Sequence, residues 1–172
     1  MGYYISTHQS SFSIRTEDFS KFFLLVQELM SDESVARLGY GGSYADGKKS
    51  ESWFSWVVTA DVRQACEDRD IRRVFAEWGY DLDFIVGHGE VTEFRLEIRD
   101  GDAKIGDEEK FFAAIAPVVV SGSFLDCHGE NGEDWRWLWE NGKFFSFERS
   151  QEIVRTEIIY GEPIEINNKE KA

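Results

Sequence analysis

The chain has 172 residues and a net charge of −14, from 33 acidic and 19 basic residues. A hydrophobic fraction of 42% with only two prolines is typical of a folded globular protein and excludes a disordered chain. Two cysteines, Cys66 and Cys127, are too few for a disulfide framework and form no CxxC pair, so we expect both to be reduced and buried.

The start of the chain, "MGYYISTHQSSFSIR", lacks the basic residues and apolar run of a secretory signal. No apolar stretch reaches the length of a membrane span. We therefore expect a cytoplasmic protein that does not bind membranes. The composition does not change along the chain in a way that would mark a linker. This predicts one domain over residues 1–172 with a frayed tail at 167–172.

The acidic residues are concentrated in one segment. Residues 80–140 contain 15 acidic and 5 basic residues, which is most of the excess negative charge. Such a surface repels nucleic acid and anionic lipid and attracts basic proteins. A surface that only keeps the protein soluble is the simplest interpretation, and a binding surface for a basic partner is the alternative.

The first segment favours a strand, because residues 2–14 are rich in aromatic, β-branched and hydroxyl residues. Tyr4, Phe12 and Ile14 have the same parity, so we expect them to point to one face of a sheet. Thr16 is the predicted cap of the next helix. Apolar residues at three- and four-residue steps predict its buried face: Phe19, Phe22, Phe23, Val26, Leu29 and Met30.

Residues 31–34 predict a short turn that ends near Leu38, and the glycine-rich residues 39–52 predict a loop. "SWFSWVV" (52–58) predicts a buried strand. A second helix is predicted from a cap at Thr59 to a stop at Gly79.

Residues 80–86 and 90–99 alternate apolar and polar side chains on either side of "GHGE", which predicts an antiparallel hairpin over 80–99. A third helix is predicted after a cap at Asp107, and Pro117 should kink or end it because proline lacks the backbone donor.

"GENGEDWRWLWENGKFFSF" (129–147) contains two Asn-Gly pairs, the strongest short signal for hairpin turns of type I′. They predict a three-strand meander over 123–149. Alternation places Trp135, Trp137 and Trp139 on one face of its middle strand. We expect these rings to form a core wall under a helix, and a ligand-stacking platform is the alternative. The tail, 152–166, is consistent with one more strand.

Together these elements predict the fold class. We expect an α+β domain in which a mainly antiparallel, twisted sheet is covered on one face by two or three amphipathic helices.

The sequence contains no signature of a catalytic, cofactor or metal site. Its three histidines, His8, His88 and His128, form no metal-ligand spacing, and Cys127 and His128 should point to opposite faces of a strand. "VSGSF" (120–124) lacks the pattern of a serine nucleophile elbow. We therefore expect no catalytic residues, no cofactor and no metal.

The preferred function is a non-catalytic, acidic protein-binding module whose partner is a basic protein. By analogy of charge and size alone, it is similar to phage or mobile-element inhibitors that mimic nucleic-acid charge and engage nucleic-acid-handling proteins. The candidate contact residues are eight acidic side chains: Asp100, Asp102, Asp107, Glu108, Glu109, Glu130, Glu133 and Asp134. The alternative is a small-molecule or carbohydrate-binding enzyme that uses the tryptophan-rich sheet and its nearby carboxylates.

Overall fold

The computed structural model describes residues 4–49, 53–54, 56–88, 90–98, 107–149, 153–159 and 162–166. Within these ranges the α-helices are α1 (Phe19–Leu29), α2 (Asp32–Leu38), α3 (Thr59–Glu67), α4 (Ile71–Glu77) and α5 (Glu108–Ile115). Short 3-10 turns, Thr16–Asp18 and Ala116–Val118, precede α1 and follow α5. None of the helices in these ranges is long and apolar enough to cross a bilayer.

Six strands form one antiparallel sheet in the order β1-β8-β9-β10-β11-β12. Their bounds are β1 (Ile5–Ser11), β8 (Ser123–Gly129), β9 (Asp134–Glu140), β10 (Lys143–Arg149), β11 (Ile153–Ile159) and β12 (Glu162–Ile166). Three two-stranded ladders complete the described strands: β2 (Tyr44–Ala45) with β3 (Lys48–Lys49), β4 (Trp53–Phe54) with β5 (Val57–Val58), and β6 (Tyr80–Gly87) with β7 (Glu90–Ile98).

The predicted fold class is confirmed. Strands β6 and β7 form the predicted hairpin, with Tyr80 opposite Ile98, and β8, β9 and β10 form the predicted meander. The tail contributes two strands, β11 and β12, where one was expected. Residues 167–172, which we expect to be frayed, lie outside the described residues.

One of the two Asn-Gly turns differs from the prediction. Asn141 and Gly142 both have positive φ, 53° and 75°, as a type I′ turn requires. At the first turn only Gly132 has positive φ, and four residues, 130–133, separate β8 from β9. This turn is closed by hydrogen bonds between Gly129 and residues 132 and 133, so it is a longer loop than the predicted two-residue turn.

The predicted second helix is broken in two. Arg69, between α3 and α4, has a left-handed φ of 54°, which a continuous helix does not allow. Asp70 then caps α4 by accepting a hydrogen bond from the backbone N–H of Arg73 at 3.0 Å. The pattern of apolar residues continues across this break, so periodicity alone does not reveal it.

The predicted helix caps were wrong in detail. The cap positions expected for Thr16 and Thr59 are taken by Arg15 and Val58, and Asp107 holds the predicted cap position of α5 but makes no side-chain cap bond. Thr59 is buried, and Asp107 instead binds the Lys110 ammonium group at 2.5 Å. Ser31, which was not predicted, caps α2 by accepting from the backbone N–H of Ser34 at 3.2 Å.

The first strand also departs from the prediction. Phe12 and Ile14 are buried, but Tyr4 is 40% exposed and its neighbour Ile5 is buried in its place. The cause is a β-bulge between Thr7 and Gln9, which inserts one extra residue into β1 and reverses the inward parity of the strand.

Between α2 and α3 the loop and the strand are both replaced by short ladders. Asp46 and Gly47, with φ of 51° and 74°, turn the chain between β2 and β3. The expected buried strand is only partly buried, because Trp56 is 51% exposed between β4 and β5.

The core lies between the helices and one face of the sheet. Phe112 of α5 is central, because its ring centroid lies 5.2 Å from that of Trp137 and 5.1 Å from that of Trp139. The indole N–H of Trp139 donates to the Phe112 carbonyl oxygen at 3.2 Å. Pro117 follows the last turn of α5, so the predicted end of that helix is confirmed.

Candidate functional site

The sheet has two faces with different chemistry. We call the side covered by helices the helix face and the opposite side the outer face. Cys127, Trp137 and Trp139 point to the helix face and are at most 2% exposed. On the outer face the register pairs Asp126 with Arg136, and His128 with Asp134. These four polar side chains therefore lie on the opposite face of the sheet from the indole rings.

The bulge in β1 brings a second histidine to the outer face. In an unbroken strand His8 and Gln9 would point to opposite faces, because side chains alternate. The bulge at His8 turns both residues toward the same side, where they line one pocket beside β8. Bulges are frequent next to functional sites, since they re-aim a side chain without interrupting the sheet.

This pocket has a volume of about 410 Å³ and lies at the end of the sheet formed by β1, β8 and β9. Its lining residues are His8, Gln9, Asp126, Cys127, His128, Asp134 and Trp135. Five of these seven carry an imidazole, an amide or a carboxylate group. The pocket is thus a concave polar surface within a region of high negative charge.

Two imidazoles and one carboxylate converge in the pocket. His128 Nδ1 lies 2.8 Å from Asp134 Oδ1 across strands β8 and β9. The ring of His8 lies 5.2 Å from that of His128, with the two planes inclined by 57°. One nitrogen or oxygen atom from each of His8, His128 and Asp134 lies within 4.8 Å of the other two. We call these three residues the histidine–aspartate cluster.

A charge pair supports the wall of the pocket. Arg136 Nε and Nη2 donate to the two carboxylate oxygens of Asp126 at 2.6 and 2.7 Å. This hydrogen bonding to Asp126 raises the pKa of Arg136. The guanidinium carbon also lies 4.4 Å from the centroid of the Phe124 ring. Asp126 is only 8% exposed, so its charge is balanced by a fixed and partly buried cation.

The structure describes six of the eight candidate contact residues, and these six fall into two groups. Asp100 and Asp102 lie outside the described residues. Glu130, Glu133 and Asp134 lie in or beside the loop between β8 and β9, where the two glutamates are exposed. Asp107, Glu108 and Glu109 begin α5 on the helix face.

The first two of the acidic residues at the start of α5, Asp107 and Glu108, have carboxylates that are bound or buried within the protein. Asp107 Oδ1 binds Lys110, whose ammonium group also donates to the carbonyl oxygen of Leu38 at 2.8 Å. Glu108 is 5% exposed and adds to the negative potential at the buried Tyr80 hydroxyl and Cys127 thiol. Burial is the main cause that raises the pKa of both groups. Asp107 and Glu108 therefore present little carboxylate to another molecule.

Glu109 is the exposed acid of this group. Desolvation, and then the neighbouring Asp107 charge, raise the pKa of its carboxyl group. The indole of Trp137 acts in the opposite direction by a smaller amount, although its N–H makes no hydrogen bond of good geometry. Glu109 is thus accessible, but its raised pKa makes its carboxyl group harder to ionise than an ordinary glutamate.

The histidine–aspartate cluster was missed by the sequence analysis. Its histidines are 120 residues apart in the chain, and no spacing rule connects them. The cluster depends on β1 pairing with β8, which is not its neighbour in sequence, and on the bulge that reverses parity at His8. The pair His128–Asp134 also depends on the longer loop between β8 and β9, because the predicted two-residue turn would have placed His128 opposite Trp135.

Comparison with protein-family models, with curated proteins and with solved structures gave no match to this chain.

Proposed function

We propose that the protein is a non-catalytic acidic binding module that captures a basic protein through the loop between β8 and β9. The observation that carries this proposal is the position of Glu130 and Glu133, which are exposed on this loop while the neighbouring indoles of Trp137 and Trp139 face the core. Exposed carboxylates are therefore the main chemical feature that this end of the sheet offers to a protein partner.

The partner class follows from charge. A net charge of −14 opposes contact with nucleic acid and favours a basic groove. Carboxylates on a projecting loop accept hydrogen bonds from arginine and lysine side chains, as phosphate oxygens do. The proposed partner is accordingly a nucleic-acid-handling protein whose basic groove is blocked by this module, as in inhibitors carried by phages or mobile elements.

The alternative function, a carbohydrate-binding enzyme with a tryptophan platform, gains little from the geometry. Two of the three rings are buried against Phe112, and Trp135 alone is partly accessible. A serine hydrolase is not favoured either. Ser6 pairs with His128 in the register, but no hydrogen bond joins their side chains and Ser6 does not line the pocket.

A charge-position experiment tests the proposal. The double variant Glu130→Gln/Glu133→Gln removes two charges from the loop. The matched variant Glu28→Gln/Glu67→Gln removes two exposed charges from α1 and α3. Each protein is immobilised, and capture of a panel of basic proteins is measured at physiological salt. The panel consists of core histones, a non-specific endonuclease and a double-stranded-RNA-binding domain.

We expect the unmodified chain to capture at least one panel member, and double-stranded DNA to compete for it. The loop variant should bind roughly fivefold more weakly, which corresponds to about 1 kcal/mol for two rim charges. The matched variant should bind as the unmodified chain does. An equal loss in both variants would show that net charge, and not the loop, governs capture. A panel on which nothing binds would also count against the proposal.

A further inference from the structure

The histidine–aspartate cluster has a geometry that an ordinary surface ion pair does not explain. A His–Asp pair across two strands needs only His128 and Asp134, whose contact is 2.8 Å. The bulge adds a second imidazole from β1, so that three potential ligand atoms lie within 4.8 Å of one another in a pocket. Convergence of three such groups from three strands is what a metal ion requires.

We propose that His8, His128 and Asp134 bind a divalent transition-metal ion of the zinc type. This inference is independent of the proposed protein-binding function. Two imidazoles and one carboxylate form a ligand set typical of Zn²⁺ and its first-row neighbours, whereas Mg²⁺ and Ca²⁺ prefer oxygen ligands only.

The distances allow such a site with small movements. At metal–ligand bonds of about 2.0–2.1 Å, tetrahedral ligand atoms lie about 3.4 Å apart. The 2.8 Å contact between His128 and Asp134 must therefore lengthen by about 0.6 Å, and the widest separation must shorten by at most about 1.4 Å. His8 is exposed and the other two side chains are half-buried, so none of the three is held in place by complete burial.

The surroundings favour a cation and leave it accessible. Asp126 lines the same pocket, but Arg136 binds both of its carboxylate oxygens. Asp126 therefore forms part of the pocket wall and is not a metal ligand. Glu130 and Glu133 lie on the adjoining loop and make the local potential more negative. With three protein ligands, at least one coordination position faces the pocket and is available to water or to another molecule.

The experiment uses the full chain without a histidine tag, dialysed against a chelator and then freed of it. Co²⁺ is titrated while its visible absorption is followed, and Zn²⁺ affinity is measured by competition with a chromophoric chelator. The test variants are His8→Ala, His128→Ala and Asp134→Asn. The control is His88→Ala, because His88 is exposed in the turn between β6 and β7 and does not line the pocket.

We expect one ion to bind per chain and Mg²⁺ not to compete. Each test variant should weaken Zn²⁺ binding by at least tenfold, and His88→Ala should bind as the unmodified chain does. Zn²⁺ should raise the melting temperature of the unmodified chain and of His88→Ala but not of His8→Ala. Circular dichroism in the absence of metal checks that each variant is folded. If Zn²⁺ and Co²⁺ do not bind, or if the His8→Ala variant binds them with unchanged affinity, the proposal fails.

Discussion

Arg136 and Asp126 face each other across β9 and β8, and the guanidinium group binds both carboxylate oxygens, at 2.6 and 2.7 Å. The pair lies on the outer face, two residues along each strand from His128 and Asp134 and farther from the loop between β8 and β9. Because Asp126 is nearly buried, its charge depends on this contact for compensation. The pair therefore fixes one wall of the pocket and links β8 to β9.

The first prediction concerns this pair. Arg136→Met keeps an apolar side chain near Phe124 but removes the guanidinium from a mostly buried carboxylate. We expect the free energy of unfolding to fall by about 1–3 kcal/mol, measured by urea unfolding. In a double-mutant cycle with Asp126→Asn, the loss in the double variant should be smaller than the sum of the two single losses. Strictly additive losses would show that the two side chains do not stabilise each other.

The second prediction tests the direction of the indole rings. Trp139 is fully buried and its N–H binds the Phe112 carbonyl, whereas Trp135 is partly exposed. Trp139→Phe should lower the free energy of unfolding by about 1–3 kcal/mol, because it removes buried volume and leaves a carbonyl unpaired. Trp135→Phe should cost less than about 1 kcal/mol. The two losses are compared by urea unfolding. A larger loss for Trp135→Phe than for Trp139→Phe would contradict the assignment of the buried face.

The third prediction concerns the buried thiols. Desolvation raises the pKa of Cys66 to about 12 and raises that of Cys127 as well. Since only the thiolate reacts, neither cysteine of the folded chain should react with a disulfide reagent at pH 8, and both should react in urea. Rapid reaction of the native chain at either position would contradict this burial.

The same shift predicts a stability effect at alkaline pH. The folded thiols hold their protons above pH 9, where those of the unfolded chain ionise. The unfolded chain therefore binds fewer protons, and stability falls as the pH rises past 9. Cys66→Ala/Cys127→Ala should show a shallower decline than the unmodified chain between pH 8 and 10, measured by urea unfolding. Parallel declines would show that other groups cause the pH dependence.

The fourth prediction concerns the break between α3 and α4. Arg69 adopts a φ of 54°, which costs an ordinary residue about 1–2 kcal/mol relative to glycine. After the greater entropy of glycine in the unfolded chain is subtracted, Arg69→Gly should raise stability by about 0.5–1 kcal/mol. Asp70→Ala should lower it by about 1 kcal/mol because the cap of α4 is lost. Thermal and urea unfolding measure both, and a destabilised Arg69→Gly variant would contradict the argument.

The elements with a strong local signal were predictable. Strand alternation and the pair Asn141–Gly142 determined the second hairpin of the meander, and Pro117 ended α5 where expected. Local signals failed where tertiary contacts competed with them. Asp107 holds the predicted cap position of α5, but its carboxylate binds Lys110, which also connects α5 to the end of α2 through Leu38.

The pocket was less predictable, because strand order decides it. Nothing near His8 in the sequence indicates that β1 pairs with β8 or that the strand carries a bulge. Residues 130–133 were assigned to a tight turn, although the loop is longer and holds two exposed glutamates. The sequence therefore indicated the acidic loop as a region but did not indicate the adjoining imidazoles.

The bulge at His8 changes which alternate residues of β1 point into the core. Inward positions are odd-numbered before it, as at Ile5, and even-numbered after it, as at Phe12 and Ile14. A one-residue deletion at this point would remove the bulge, so every preceding side chain of β1 would point to the other face of the sheet. Ile5 would leave the core, and a polar neighbouring side chain would take its place. Insertions and deletions here should be tolerated far less than substitutions, even though the residue itself is exposed on an edge strand of the six-stranded sheet.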